Sequence, residues 1–170
     1  SGGDIYLTGD WAALEASTFD VTGGGAIQIK SAMHITIEGS TLETSGPSSG
    51  SGGEISIWSD SNGDGVGVVH TTGVACINTI NSCTTAATSG GANIVIGGGS
   101  TAAANNFFPA GGAPAGTLHG VRFSDAHGAD RTKIWSGGGD ISISSKTGTG
   151  SFIYGQYWYG GTNVNSGLGQ

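Results

Sequence analysis

The feature that most constrains the fold of this chain is a short phrase that recurs along it. Each copy has two or three glycines, one or two small or polar residues, and then apolar–polar–apolar or a close variant. The copies are GGDIYL (2–7), GGGAIQI (23–29), GGEISI (52–57), GGANIVI (90–96) and GGGDISI (137–143), and a related MHITIEG (33–39) lacks the glycines. The first isoleucines of the five copies are 22, 28, 39 and 47 residues apart, so a constant unit is separated by inserts that lengthen.

Each copy predicts a short β-strand with two side chains on one face and one on the other. A strand of this length cannot bury its apolar face alone, but copies stacked about 4.8 Å apart align their isoleucines into a continuous column. Further strand faces are predicted at 17–23, 40–46, 132–138 and 162–169, where polar–apolar–polar runs precede Ser and Gly. This pattern predicts an all-β chain that folds as a parallel β-helix (β-solenoid) with irregular surface loops.

The organisation predicted for the chain is a single β-helix segment over residues 1–170. A match between 119–140 and 154–170 indicates roughly 30 to 35 residues per coil, and therefore about five to seven coils. Loop inserts are expected near 46–53, 70–90 and 100–117. Only DWAALEAS (10–17) offers a short helix, and a strand or an outward excursion fits that stretch equally.

Composition narrows the range of partners. The chain has only five basic residues and a net charge of −7, and nucleic-acid binding needs several Lys and Arg on one face. The same shortage of basic residues argues against binding to anionic membranes. No apolar run approaches the roughly 18 residues of a membrane helix. We therefore expect neither a nucleic-acid partner nor a membrane span.

The two cysteines, Cys76 and Cys83, lie close together in a Gly/Ser/Thr-rich setting. No second pair or nearby His cluster accompanies them, as a zinc site would require. The spacing favours a small-loop disulfide formed in an oxidising compartment over two buried thiols. This predicts a secreted protein.

Two stretches carry candidate binding residues. Asp60, Asn62 and Asp64 alternate before a glycine, as oxygen ligands do in the first half of a calcium loop, although an Asx-rich turn explains the same residues. Calcium is therefore a candidate cofactor and no other is indicated. Tyr157, Trp158 and Tyr159 form a candidate glycan-binding patch, with packing of the aromatic rings as the alternative.

The stretch SDAHGADRTK (124–133) gathers acids, a histidine and bases, the residue types used by β-helix enzymes that cleave polysaccharides. A solvated loop with weak ion pairs accounts for the same residues. The acids Asp4, Glu54 and Asp140 precede strand copies, which suggests a role at corners of the fold. We therefore predict no catalytic residues and no enzymatic activity.

The repeated SGGGDISIS and the run YGQYWYGGTNVNSGLG resemble repeats of filamentous haemagglutinin-like exoproteins, the adhesins of two-partner secretion. The similarity is clearest over 1–65 and 119–170. It implies a right-handed β-helix and a place on the bacterial cell surface or outside the cell. Neither the secretion domain of that family nor a C-terminal toxin region is recognisable, so the resemblance implies a middle piece of a longer rod.

Three functions are compatible with these features. The first is a non-catalytic structural or adhesive rod module of a secreted bacterial surface protein that binds glycans or cell surfaces. The second is an extracellular filament subunit that assembles head to tail, and the third is a carbohydrate-active β-helix enzyme. The expected partners are flanking coils of a longer chain or other copies of this chain, together with a surface glycan.

Overall fold

The computed structural model describes residues 5–10, 12–45, 52–63, 67–80, 83–84, 90–99, 120–124, 132–145, 156–159 and 162–166. Over these ranges the chain is all β, with fifteen strands and no helix. The strands are β1 (Ile5–Gly9), β2 (Ala12–Glu15), β3 (Thr18–Thr22), β4 (Ile27–Ser31), β5 (Ile35–Glu38), β6 (Thr41–Ser45), β7 (Ile55–Ser59), β8 (Val69–Thr72), β9 (Cys76–Asn78), β10 (Ile94–Gly98), β11 (Val121–Ser124), β12 (Lys133–Trp135), β13 (Ile141–Ile143), β14 (Gln156–Tyr159) and β15 (Asn163–Asn165).

The strands form three parallel sheets of five strands each. Sheet A contains β1, β4, β7, β10 and β13; sheet B contains β2, β5, β8, β11 and β14; sheet C contains β3, β6, β9, β12 and β15. Successive strands therefore visit the three sheets in rotation, and we call each set of three a coil. The described residues form five such coils in a solenoid-like arrangement.

The register of sheet A follows the repeated phrase. The first isoleucine of every copy pairs with the first isoleucine of the next, giving the column Ile5, Ile27, Ile55, Ile94 and Ile141. The predicted stacking of the copies is confirmed. The segments predicted to supply another face are likewise confirmed, because they contribute β3, β6, β12 and β15 to sheet C.

One apolar core lies between the sheets. Alternate side chains from all three sheets enter it, and those of the middle coils are fully buried, as at Ile57, Ile77 and Phe123. Alternation within each short strand sets the opposite side chains on the outer surface. The outer faces therefore carry the polar residues from which any binding surface must be built.

The glycines that precede sheet A strands permit close approach of neighbouring coils. Gly53 lies two residues before Ile55, and a Cβ there would collide with the carbonyl group of Gly25 in the preceding coil. Gly139 stands in the same relation to Ala92. A side chain at either position would push adjacent coils apart.

Buried hydroxyl groups join the end of sheet C to the start of sheet A in three coils. Thr44 Oγ1 donates to the carbonyl of Gly53 (2.6 Å), Thr79 Oγ1 to that of Ala92 (3.1 Å), and Ser136 Oγ to that of Gly139. All three acceptors lie two residues before a sheet A isoleucine. The same kind of hydrogen bond therefore recurs in three coils and joins each of them to the coil that follows it.

Some assignments differ from the sequence-based expectation. In the stretch 10–17, for which the sequence leaves a short helix, a strand or an outward excursion open, the structure has the strand β2. MHITIEG (33–39) contributes β5 to sheet B and does not join the glycine-preceded copies in sheet A. The insert expected near 70–90 includes most of β8 and all of β9, because Val69, Cys76 and their neighbours pair with strands of the preceding coil. Residues 46–51 and 100–117 lie outside the described residues.

Candidate functional site

The predicted disulfide between Cys76 and Cys83 is present, with an S–S distance of 2.10 Å. Cys76 begins β9, and the bond brings residue 83 onto the outer face of sheet C. A disulfide persists in non-reducing surroundings. The bond therefore fits an extracellular setting for this chain.

Polar groups surround the disulfide. Asn78 Nδ2 donates to Glu43 Oε2 at 3.0 Å, one coil away, and lies 3.4 and 3.3 Å from the sulfurs of Cys76 and Cys83. Lys133 Nζ, from the next coil, donates to the Cys83 carbonyl at 2.7 Å and lies 5.5 Å from the centroid of the Trp135 ring. These contacts join residues of three successive coils on sheet C. We call the group formed by the disulfide, Glu43, Asn78 and Lys133 the clamp.

Sequence reasoning did not identify Glu43 and Asn78 as partners. They are separated by 35 residues, and only the β6–β9 register places them on adjacent strands. Each is the third residue of its strand, counted from the aligned Thr41 and Cys76. Alignment of sheet C segments alone would have been enough to find the pair.

The candidate calcium residues lie after β7. Asp60 is buried with a φ of 50°, its carbonyl accepts from Gly63 N at 3.0 Å, and Asn62 is exposed. This geometry is a tight turn. Asp64 lies outside the described residues, and among those described no group of three or more His, Cys, Asp or Glu side chains is arranged to hold a metal ion. Calcium binding stays a prediction.

The three residues of the candidate glycan patch occupy different columns of sheet B. Trp158 pairs in register with Phe123, in the column that faces the core, and the two ring centroids are 4.8 Å apart at an interplanar angle of 57°. Because Trp158 belongs to the last described strand of the sheet, it is still 43% exposed. Tyr157 and Tyr159 pair with Arg122 and Ser124, which alternate with the buried Val121 and Phe123.

The outer face of sheet B therefore presents a column of three side chains from successive coils, Thr36, His70 and Arg122, and the backbone of Tyr157 pairs in register with Arg122. Neighbouring members of such a column lie about 4.8 Å apart. The three described side chains of this column are polar or cationic. Trp158 packs on Phe123, and glycan binding by Tyr157, Trp158 and Tyr159 stays a prediction.

The mixed-charge stretch 124–133 lies mostly outside the described residues, including Asp125, His127, Asp130 and Arg131. Lys133, its last residue, belongs to the clamp around the disulfide. Elsewhere, His34 is buried before β5, and desolvation lowers its pKa from the ordinary value of 6.5. Its backbone carbonyl accepts from Ala12 N at 3.1 Å, a link between the first two coils.

No family model, curated protein or solved structure was found to match the chain. In the part of the chain that the structure describes, no helix is long and apolar enough to cross a membrane.

Proposed function

We propose that this chain is a non-catalytic structural and adhesive rod module, folded as a closed, right-handed β-helix, of a secreted bacterial surface protein. The observation that carries the proposal is the unbroken register of five strands in each of three sheets. In such a stack every coil contributes one strand to each of the same three sheets, in register with its neighbours. A fold of this kind builds length and leaves its outer side chains free to differ.

The dimensions follow from the strand spacing. Each coil advances the stack by about 4.8 Å, so five coils extend roughly 20 to 25 Å along the axis. A rod is formed when further coils continue the same register. The segment is accordingly a module of such a rod.

Secretion is supported by the Cys76–Cys83 disulfide. The bacterial surface is supported by the resemblance of the glycine-preceded strands to filamentous haemagglutinin-like repeats, which rests on the repeated phrase alone. Such adhesins act by presenting a surface to another cell. The role of the fold would then be to hold that surface away from the producing cell.

The adhesive surface is assigned to the outer face of sheet B. Arg122 and His70 supply hydrogen-bonding and cationic groups, and the columns continue into Tyr157 and Tyr159. Tyrosine provides an apolar ring and a polar hydroxyl group, which suit a ligand that has apolar ring faces and hydroxyl groups. The ligand class proposed is a cell-surface glycan.

Glycan-array binding tests this surface. Tyr157→Ala combined with Tyr159→Ala is expected to abolish binding, whereas Tyr6→Ala is expected to leave it unchanged. Tyr6 is the matched control because it is 63% exposed but lies on sheet A. Equal loss in both variants, or no binding by the unaltered chain, would contradict the assignment.

The same panel separates the adhesive module from a carbohydrate-active enzyme. An adhesive module binds the glycans of the panel and leaves them uncleaved. Release of shortened products, abolished by Asp125→Ala, would overturn the non-catalytic proposal and support the enzyme.

A further inference from the structure

The two cysteines of the disulfide differ in their access to solvent. Cys76 is 4% exposed and begins β9, where it pairs in register with Thr41 and Lys133. Cys83 is only half-buried. A thiol that opens a disulfide must reach one of its two sulfurs, so the rate depends on access to that sulfur. Access therefore favours Cys83 as the cysteine that a thiol in solution attacks.

We propose that Cys83 is a thiol-exchange site, at which a small neutral or cationic thiol becomes covalently attached to the chain. The thiolate of that molecule attacks Cys83 Sγ and forms a new sulfur–sulfur bond. The bond between Cys83 and Cys76 breaks, and Cys76 leaves as a thiolate with the electron pair. No other oxidant or reductant is consumed, and attack by Cys76 on Cys83 reverses the step. The site belongs to sheet C and does not depend on the glycan surface assigned to sheet B.

The charges around the disulfide favour the same direction of exchange. Glu43 Oε2 lies 4.0 Å from Cys83 Sγ. A thiolate released at Cys83 would form beside this carboxylate, and two negative charges at that distance repel each other. Cys76 shares its outward column with Lys133, whose ammonium group donates to the Cys83 carbonyl at 2.7 Å. A nearby cation favours a thiolate, and the thiolate that is better stabilised leaves faster.

The side chain of Asn78 supplies a hydrogen-bond donor at the site. Its Oδ1 accepts from Ile80 N at 3.1 Å, which orients the amide so that Nδ2 faces Glu43 Oε2 at 3.0 Å and the two sulfurs at 3.3 and 3.4 Å. An amide nitrogen carries two hydrogens, so one remains for sulfur while the carboxylate accepts the other. Hydrogen bonds to ionised acceptors are stronger than those to neutral ones. Release of Cys76 as a thiolate therefore strengthens this contact.

The same charges define the class of thiol. Among the described residues of sheet C, the outward charged groups are Asp20, Glu43 and Lys133, two carboxylates against one ammonium group. Glu43 is the carboxylate beside the sulfur that is attacked, and Asp20 lies one coil further away in its column. A negative charge on the incoming thiol is therefore repelled and a positive charge is attracted. Aminothiols are expected to react faster than thiols that carry a sulfonate.

Mapping of the attached thiol tests the direction of exchange. The folded full chain is incubated briefly with cysteamine at mildly alkaline pH and quenched with acid, and its free thiols are then blocked with N-ethylmaleimide. Tandem mass spectrometry of the peptide that contains both cysteines locates the two labels. Cysteamine is expected on Cys83 and the maleimide on Cys76. This arrangement should exceed the reverse one by at least about fivefold, the effect of two unit charges about 4 Å apart in water.

Two matched variants test the part played by the carboxylate. Glu43→Gln removes the charge and keeps an oxygen that can accept from Asn78, so the excess of adduct at Cys83 is expected to fall by about fivefold. Asp20→Asn removes an equal charge at an exposed position one coil further away, and is expected to leave the excess unchanged. The rate with mercaptoethanesulfonate, relative to that with cysteamine, should rise in Glu43→Gln and stay constant in Asp20→Asn. Circular dichroism checks that both variants fold.

Attachment of cysteamine at Cys76, or equal attachment at the two cysteines, overturns the proposal. A folded chain that forms no adduct under conditions in which the urea-unfolded chain forms one also overturns it, because the disulfide is then closed to thiols. Both results come from the unaltered chain and hold even where Glu43→Gln does not fold. Equal behaviour of Glu43→Gln and Asp20→Asn overturns the assigned class of thiol.

Discussion

The distance between adjacent coils depends on the lack of a side chain at Gly53. It meets the backbone of Gly25 so closely that a methyl group has no space. Gly53→Ala is therefore expected to lower the free energy of unfolding by about 1–3 kcal/mol, the usual cost of overpacking. Chemical denaturation measures the effect. Glu54→Ala, at the adjacent exposed position, is the control and should stay within about 0.5 kcal/mol of the unaltered chain.

The hydroxyl group of Thr79 makes one of the ties between sheets C and A. Its single proton is shared between the carbonyls of Ser136 (2.7 Å) and Ala92 (3.1 Å), and its oxygen accepts from Ala92 N (3.0 Å). Thr79→Val keeps the shape and removes these bonds, so we expect a loss of about 1–3 kcal/mol in the free energy of unfolding. Thr36→Val, on the outer face of sheet B, should change it little. Equal effects of the two substitutions would show that the buried bonds contribute nothing.

His34 makes stability depend on pH. Burial lowers its pKa below 6.5 in the folded state, so below pH 6.5 the unfolded chain binds more protons at this residue. The stabilising contribution is complete above that pH and is lost as the pH falls toward the folded-state pKa. Denaturation of the unaltered chain and of His34→Gln between pH 7.5 and 5 measures it. The unfolding free energy of the unaltered chain, relative to that of His34→Gln, should decline as the pH falls from 7.5 to 5. A constant difference would refute the lowered pKa of His34.

At the scale of the element, β9 depends on the disulfide. The bond closes a loop with a sequence separation of 7, and the loss of so small a closed loop costs about 2 kcal/mol by chain entropy. Replacing both Cys76 and Cys83 by Ala is expected to reduce the free energy of unfolding by this amount. Addition of a reductant should destabilise the unaltered chain and leave the double variant unchanged, and an equal response of both would argue against the clamp.

The strands differ in how far the sequence reveals them. The isoleucine phrase specified the register of sheet A, because a period of two with preceding glycines leaves one way to stack Ile5, Ile27 and Ile55. It did not reveal that MHITIEG belongs to another sheet, since the alternation in β5 is the same and only the missing glycines differ. It also left the direction of Trp158 open, which depends on the pairing of β14 with β11.

The candidate surfaces were less accessible to sequence reasoning for a physical reason. Glu43, Asn78 and Lys133 are far apart in the chain, and inserts of unequal length separate their coils. Their proximity follows from a register that is decided by burial of other residues, such as Ile77 and Ile134. Close spacing in sequence was sufficient only for the disulfide, whose two ends lie within one small loop.

At the scale of the whole molecule, the central claim is that successive coils stack in one register from the first to the fifth. The outward column of sheet A tests this with Gln28, Ser56 and Ser142, which belong to the second, third and fifth coils. The pair Gln28 and Ser56 is one coil apart, about 4.8 Å, and the pair Gln28 and Ser142 is three coils apart, about 14 Å.

The decisive measurement is the oxidation of two double variants at low protein concentration, followed by mass mapping of the cross-linked peptides. Gln28→Cys with Ser56→Cys should form an intramolecular disulfide rapidly, because the Cα separation lies within the range that such a bond spans. Gln28→Cys with Ser142→Cys should form none. Cross-linking of the distant pair, or failure of the adjacent pair in a folded chain, would contradict the stacked arrangement of the coils.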